Sequence, residues 1–264
     1  MTRRGAAGSV LLAAVVALAF AGPLVSPWSW DETDFTAFGQ GPSGRHWLGT
    51  TQSGRDVFAL TLRGAQKSLV IGLLAALLSS GLAAVAGTVA GFAGGPLDRA
   101  LMWGADLLLV LPPLLVVAVL APGGGWPLLA PLLAAFMWML PARAVRASTL
   151  SVRERGHVLA ARFLGVAAPR VLVRHVLPQV ASLLVADASL AAGAAIAAEG
   201  GLSFLGLGVR PPDVSLGALI ADGRGAAATW PSGAAAGLLA LIVLAVNLLG
   251  DGLRDALDPL RGGR

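Results

Sequence analysis

The chain has 264 residues, of which 56% are hydrophobic and 12% charged, with a mean hydropathy of +0.78. A soluble domain carries about a quarter charged residues, so the composition excludes an ordinary water-soluble enzyme and points to a multi-span helical membrane protein. The formal charge of +5 gathers in one segment, as a positive-inside loop would require, and does not argue for nucleic acid as a partner. No cysteine is present, which excludes disulfides, zinc–thiolate sites and cysteine nucleophiles.

The first apolar run covers about 9–28 and follows Arg3 and Arg4, giving an N-terminal transmembrane helix within 1–30. A cleavable leader is the competing reading, because Ala19-Phe20-Ala21 is a plausible small-residue cleavage site. The run is longer than a usual leader core and matches a full span. An extracytoplasmic segment, 31–67, follows. It is polar, mixed in charge and rich in glycine, so it reads as mostly loop and turn. Gly49-Thr50-Thr51 and Gly54 read as turns before a helix start. Arg55-Asp56 is either an outer-surface ion pair or a solvated pair.

The transmembrane domain is expected over 68–250. Its second span, about 68–92, contains Gly87-x-x-x-Gly91, which allows close helix packing. The third, about 100–121, holds Asp106, and Pro112-Pro113 should kink or unwind it. A tight turn at 122–125 leads to a short fourth span, about 126–142. The basic segment 143–178 holds seven arginines against the single Glu154. The fifth span, about 179–198, is dense in alanine, which suits burial between helices. A Gly/Pro-punctuated connection, 199–231, precedes the sixth span, about 232–249, and a tail, 251–264.

Six spans place both ends on one side. With the arginine segment inside, thirteen Lys and Arg fall inside and six outside, which favours cytoplasmic termini. Trp28, Trp30, Trp103, Trp126, Trp138 and Trp230 lie near the expected span ends, as interfacial anchors would.

Within the basic segment, Leu159, Phe163 and Val166 recur at helical spacing, Arg155, Arg162 and Arg170 take other positions, and Gly165 can stop the helix. Two readings stand: a solvated loop that only sets topology, or an ordered helix that touches a soluble partner. Here the residues carry a resemblance. Leu159-Ala160-Ala161-Arg162-Phe163-Leu164-Gly165, closing at Leu177-Pro178, resembles the coupling segment of ABC-importer permeases, whose pattern is Glu-Ala-Ala, three residues, Gly, then Leu-Pro. Leu159 stands where that family usually has glutamate. Three further segments are similar to the C-type permease subunit of dipeptide, oligopeptide and nickel importers. They are Trp47-Leu48-Gly49-Thr50-Thr51 with Gly54-Arg55-Asp56-Val57, then Leu202-Ser203-Phe204-Leu205-Gly206-Leu207-Gly208-Val209, and Asn247-Leu248-Leu249-Gly250-Asp251-Gly252.

The resemblance implies an all-α, type I ABC-importer permease fold with six transmembrane helices and a cytoplasmic coupling helix. It implies a second homologous permease, cytoplasmic ATPases that receive the coupling helix, and an extracytoplasmic substrate-binding protein. Leu159, Ala160, Ala161, Arg162 and Gly165 would form the docking helix, with Arg155 and His157 adding charge contacts to the ATPase. Ser203, Phe204, Gly206 and Gly208 would belong to an outer loop that accepts substrate. The substrates it implies are peptides, nickel complexes or small solutes such as haem or glutathione; a path with few charges favours peptides. No cofactor is implied.

An acid at a helix centre costs about 2.5–3.5 kcal/mol on insertion scales, so intramembrane acids need a reason. Asp106 and Asp187 either line the translocation path or hold helices together. Glu199 is expected at the outer interface. His46, His157 and His175 share no metal-ligand spacing, and Ser79 and Ser80 read as helix-packing residues. The chain has no phosphate-cradling Gly-x-x-x-x-Gly-Lys-Ser/Thr segment and no nucleophile–base constellation. An ion-gradient transporter is the alternative function; an intramembrane enzyme has no catalytic pair to support it.

Overall fold

The computed structural model describes residues 3–121, 125–223 and 230–257. The described chain is helical apart from turns and two isolated β-bridges. Four helices are long and apolar enough to cross a membrane: α1 (Arg3–Val25), α2 (Val57–Ala93), α9 (Leu177–Phe204) and α11 (Trp230–Leu257). Two bent pairs add the remaining crossings, for six in all if each pair is one span. They are α3 (Gly95–Val110) with α4 (Pro113–Leu120), bent by 81°, and α5 (Gly125–Met137) with α6 (Met139–Val152), bent by 46°. The expected kink falls at Leu111-Pro112, where two successive prolines withdraw donors from the helical ladder. The expected turn at 122–125 lies almost wholly outside the described residues.

Several boundaries differ from the sequence expectation. Helix α2 begins at Val57, eleven residues earlier than hydropathy suggested, because polar Arg63, Gln66 and Lys67 are accommodated in its first turns. At 37 residues it is about 55 Å long, well beyond a ~30 Å hydrocarbon core. Asp56 caps it by accepting from the Ala59 N–H at 2.8 Å, and Gly49 and Gly54, both at positive φ, make the preceding turns. Asp56 pairs with His46 at 2.9 Å and not with Arg55. His46 is buried, stacks on Trp28 and also reaches Asp34, so it ties the outer segment to the cap of α2. Hydrogen bonds from the Thr36 hydroxyl and N–H hold the Asp34 carboxyl below the usual carboxylate range. The fourth span does not end at 142: α6 carries the helix to Val152, so Arg143 and Arg146 stand on a helix and not in a loop. Trp138 accordingly sits at the α5–α6 break, its indole donating to the Ala135 carbonyl, and not at a span end.

Helix α2 is the central element and touches α1, α3, α5, α6, α9 and α11. Its glycines permit this. A Cβ at Gly87 would lie 2.5 Å from the Ala142 carbonyl oxygen, and one at Gly91 would lie 2.7 Å from that of Arg146. The paired advance of four residues on both helices makes α2 and α6 parallel. Gly72 of α2 receives Ile196 of α9 and Ser68 meets Glu199, so this pair is antiparallel. Gly193 of α9 faces Asn247 of α11, while Gly200 faces Leu239, again antiparallel. Gly8 of α1 abuts Leu248, so Arg3 and Leu257 lie at one end of the bundle. The segment after α6 lies at that same end.

The other end is held by Glu199. The sequence reading placed it at an interface needing little explanation; it is instead fully buried on α9. Both carboxyl oxygens accept, from the Ser68 hydroxyl of α2 and the Ser203 hydroxyl of α9, each at 2.6 Å. Ser215, which caps α10 (Leu216–Asp222), also donates to the carboxyl. Ser203 in turn accepts from the Val209 N–H at 3.0 Å, so the carboxyl organises α2, α9, α10 and the 205–209 turn together. Lys67 adds an outer stitch, pairing with Asp213 at 2.8 Å and stacking on Trp126.

Two outcomes are expected from thermal unfolding of the purified protein in detergent. Gly87→Val, pressed against backbone, lowers stability by about 1–3 kcal/mol, while Gly81→Ala in the same helix, with open space around it, is tolerated. Glu199→Ala leaves the Ser68 and Ser203 hydroxyls without their acceptor and costs about 1–3 kcal/mol; an unchanged melting temperature would exclude the bridging role.

Candidate functional site

Past α6 the chain turns at 153–155 and forms a short helix, α7 (Gly156–Phe163). Its stop follows from backbone geometry. Gly165 has φ +74°, the Gly165 N–H donates to the Arg162 carbonyl, and the Val166 N–H reaches back to the Ala161 carbonyl. This pair of bonds satisfies the terminal carbonyls in a Schellman motif, which needs a residue free to adopt the left-handed region. Helix α8 (Ala168–Val171) and a π-helical turn, Leu172–Val176, then lead into α9.

The two faces of α7 differ in kind. Val158 and Ala161 are buried, forming a small apolar cluster with Val152, Val171 and Val176 against Phe92 of α2. Leu159 is 36% exposed, Phe163 88% and Leu164 83%, and Ala160 is also exposed. The sequence grouped Leu159, Phe163 and Val166 as one apolar stripe. The fold divides them: Val166 packs against the inner cluster, while Leu159 and Phe163 project outward. At an aqueous end of the bundle this apolar tip is a surface that wants a cover.

The polar residues of the segment stay exposed but also bond to neighbouring helices. Arg155 donates to the Gln179 side-chain carbonyl at 2.6 Å, and the Gln179 amide meets His157 Nε2 at 2.7 Å and the His175 carbonyl at 2.9 Å. Arg155 and His157 therefore tie α7 to the first turn of α9 while remaining exposed. Arg162 lies over the Phe92 ring at 5.3 Å. His157 and His175 come within 6.2 Å of each other, a proximity invisible in their spacing. Among the described residues no group of histidine and acid side chains is arranged to hold a metal.

At the opposite end, Ser203 is buried on Glu199, and Gly206, at φ +76°, ends α9 in a second Schellman motif. Gly208 packs so closely that a Cβ would lie 2.7 Å from the Ser203 nitrogen. Phe204 is half-buried. The expected outer loop thus starts from a rigid turn. A cavity of about 460 Å³ opens between this turn, the 50–55 segment and α10.

The intramembrane acids divide. Asp106 of α3 forms an ion pair with Arg143 of α6, with both side chains substantially exposed. Asp187 is partly buried on α9, and its Oδ2 lacks a hydrogen-bond partner. The sequence reading missed Asp98, whose carboxylate takes two bonds from Arg146, with Nη2–Oδ2 at 2.6 Å. Its signal was an acid in the first turn of a span, with an arginine on a segment then read as loop. Ser79 and Ser80 are buried with hydroxyls that lack partners.

Comparison with known proteins agrees with this geometry. Residues 83–262 match the family described as binding-protein-dependent transport system inner membrane component. The chain is 49% identical over 265 residues to the oligopeptide transport system permease protein OppC of Mycobacterium tuberculosis strain H37Rv, covering 97% of this chain and 91% of that protein. The corresponding protein of Mycobacterium bovis matches to the same extent. It is 37% identical over 260 residues to the dipeptide transport system permease protein DppC of Bacillus subtilis, covering 96% and 81%. With its multi-span helical fold and its exposed, glycine-stopped α7, the chain belongs to the family of binding-protein-dependent transport system inner membrane components.

Proposed function

We propose that the chain is one of two homologous permease subunits of an ATP-driven peptide importer. The observation that carries the reading is the α7 tip: an apolar surface made by Leu159, Phe163 and Leu164, presented by a helix whose other face is anchored to the bundle. Its occupant is a cytoplasmic ATPase, and the end bearing α7, Arg3 and Leu257 is the cytoplasmic one. The names of the relatives support peptides as the cargo. Nickel complexes, haem and other small solutes have no observation in their favour, and neither has the ion-gradient alternative.

The mechanism assigns each part a task. The chain itself has no phosphate-cradling motif, so ATP is bound and hydrolysed by the partner subunits. ATP closes the ATPase pair, and the seated α7 moves with it. Arg155, His157 and Gln179 pass that displacement into the base of α9, while α6 passes it to α2 through the Gly87 and Gly91 contacts. Access switches because ATP binds one of two arrangements more tightly. Leu159 replaces the family's glutamate with an apolar contact; about a third of it is still exposed, so covering the rest adds roughly 0.5–1 kcal/mol. At the other end an extracytoplasmic binding protein delivers peptide beside the 203–209 turn.

Co-purification in mild detergent tests the reading, with this chain expressed beside its partner permease and ATPases. Phe163→Asp, at an exposed site outside the core, is expected to release the ATPases while the permease pair stays intact. Gly165→Val, which forces a branched side chain into the left-handed region, is expected to weaken the same contact. Undiminished ATPase binding by Phe163→Asp would remove α7 as the docking helix.

A further inference from the structure

A second cavity, of about 300 Å³, lies where the end of α1 meets the first turns of α2. Pro23, Trp28, Ser29 and Trp30 line it from one side, Arg63 and Gln66 from the other. Direct contacts set its level. Gln66 donates to the Ala19 carbonyl at 2.8 Å, and a Cβ at Gly22 would lie 2.6 Å from Leu62 Cδ1. Arg63 therefore stands beside the last turns of α1. The apolar run of α1, Gly5–Val25, has 21 residues and is about 31 Å long, which matches a ~30 Å hydrocarbon core. Its last turns, and the cavity with them, lie at the boundary between hydrocarbon and headgroups, at the end of the bundle opposite α7.

Arg63 is the charged group at this boundary, and its protein partners are neutral. Its Nη1 donates to Gln66 Oε1 at 3.2 Å, and the guanidinium lies 4.9 Å from the centre of the Trp30 ring. Its Nε is buried with no acceptor. Among the described residues no carboxylate comes within ion-pair distance of it. A half-buried guanidinium that meets only an amide and an aromatic face is suited to an anion from outside the chain. The surroundings say which kind. Trp28 and Trp30 are residues of the headgroup level. Phe20, three residues before Pro23 on the same face of α1, is 51% exposed, and Leu24 is 86% exposed. Bare apolar surface thus continues from the cavity toward the hydrocarbon.

The charges follow an order along the membrane normal. The chain runs from Trp30, against Arg63, to Thr33, which bridges Arg55 ahead of the start of α2. Asp31 and Glu32 lie on that stretch, farther from the hydrocarbon than Arg63. Both are exposed and both accept from Ser29. Asp31 is also within electrostatic reach of Arg63 and Arg55.

We infer that this cavity seats the headgroup of an outer-leaflet phospholipid, with Arg63 taking a phosphodiester oxygen and Asp31 and Glu32 facing a headgroup ammonium. The inference takes only its leaflet from the importer reading and is independent of the cargo. A phosphoethanolamine headgroup carries phosphate next to the glycerol and its amine farther out, which is the order of guanidinium and carboxylates here. A phosphoglycerol headgroup offers the same phosphate and nothing for the two acids. The acyl chains lie along Phe20 and Leu24, and the lipid joins the end of α1 to the first turns of α2.

The test uses the complete importer, with both permeases and the ATPases, in lipid nanodiscs. These contain a trace of phosphatidylethanolamine bearing a diazirine near the glycerol end of one acyl chain. After irradiation the cross-linked peptides are mapped by mass spectrometry. Labelling is expected within 19–30 and 59–66, and Arg63→Gln is expected to lower it at least tenfold. Arg99→Gln, the same charge change at an exposed position near the other end of the bundle, is expected to leave it unchanged. Labelling of these segments that ignores Arg63→Gln overturns the site. So does an unlabelled site in the unaltered importer, the result expected if the partner permease covers this face. Two further arms use the unaltered importer and so hold even if Arg63→Gln fails to assemble. Unlabelled phosphatidylethanolamine is expected to compete at least fivefold better than phosphatidylglycerol, and equal competition overturns the assignment of the acids. Millimolar inorganic phosphate is expected not to compete. If it displaces the lipid, the site belongs to a soluble anion and the lipid reading falls.

Discussion

Hydrocarbon offers no hydrogen bonds, so a carboxyl within the membrane must find its partners in the protein. Glu199 does so with hydroxyls from α2, α9 and the cap of α10, and the arrangement of the half of the bundle opposite α7 follows from it. Those serines come from separate stretches of chain, and bringing them to one carboxyl fixes how α10 folds back between α2 and α9. The Ser203 hydroxyl accepts the Val209 N–H as well, so the turn after α9 is held by the same group. Removing one serine leaves a buried carboxyl oxygen without that donor, and removing the carboxyl leaves both hydroxyls without their acceptor.

The opposite half is organised by contact between backbones. Gly87 and Gly91 let α2 meet α6 closely enough that neither position accepts a Cβ. Close approach of this kind drives helix association in membranes, where burial of apolar surface between helices gives no gain over lipid. Because α6 leads directly into α7, a movement imposed on α7 has two rigid routes inward. One runs through α6 to α2 over the glycines, and the other through Gln179 to α9. The bundle thus joins a stiff serine–carboxyl node at one end to a mechanically linked short helix at the other.

Between these ends the two bent helix pairs break the regular ladder of the third and fourth crossings. The Asp106–Arg143 pair bridges α3 and α6, one half of each bent pair. Helices with breaks can change their bend at low cost, whereas α2 and α9 are continuous and tightly packed. That pair therefore bridges the two broken helix pairs of a bundle whose central helices are continuous.

The sequence by itself determined the membrane class, the span count and the place of the short helix after the fourth crossing, since hydropathy, arginine distribution and glycine position are local properties of the chain. The break at Leu111-Pro112 and the stop at Gly165 were legible for the same reason: proline and glycine act on their own backbone. The start of α2 at Val57 was not, because its polar outer turns are stabilised by neighbours and not by hydropathy. Tertiary structure alone decided which acids matter and how. Glu199 and Ser203 lie four residues apart on one helix, but Ser68 lies 131 residues from Glu199. Arg143 looked like loop charge until α6 extended past it and set it against Asp106. That Arg155 and His157 meet at Gln179 of α9 was equally out of view. Each of these roles depends on groups distant in sequence meeting at hydrogen-bond range, and only the folded chain brings them there.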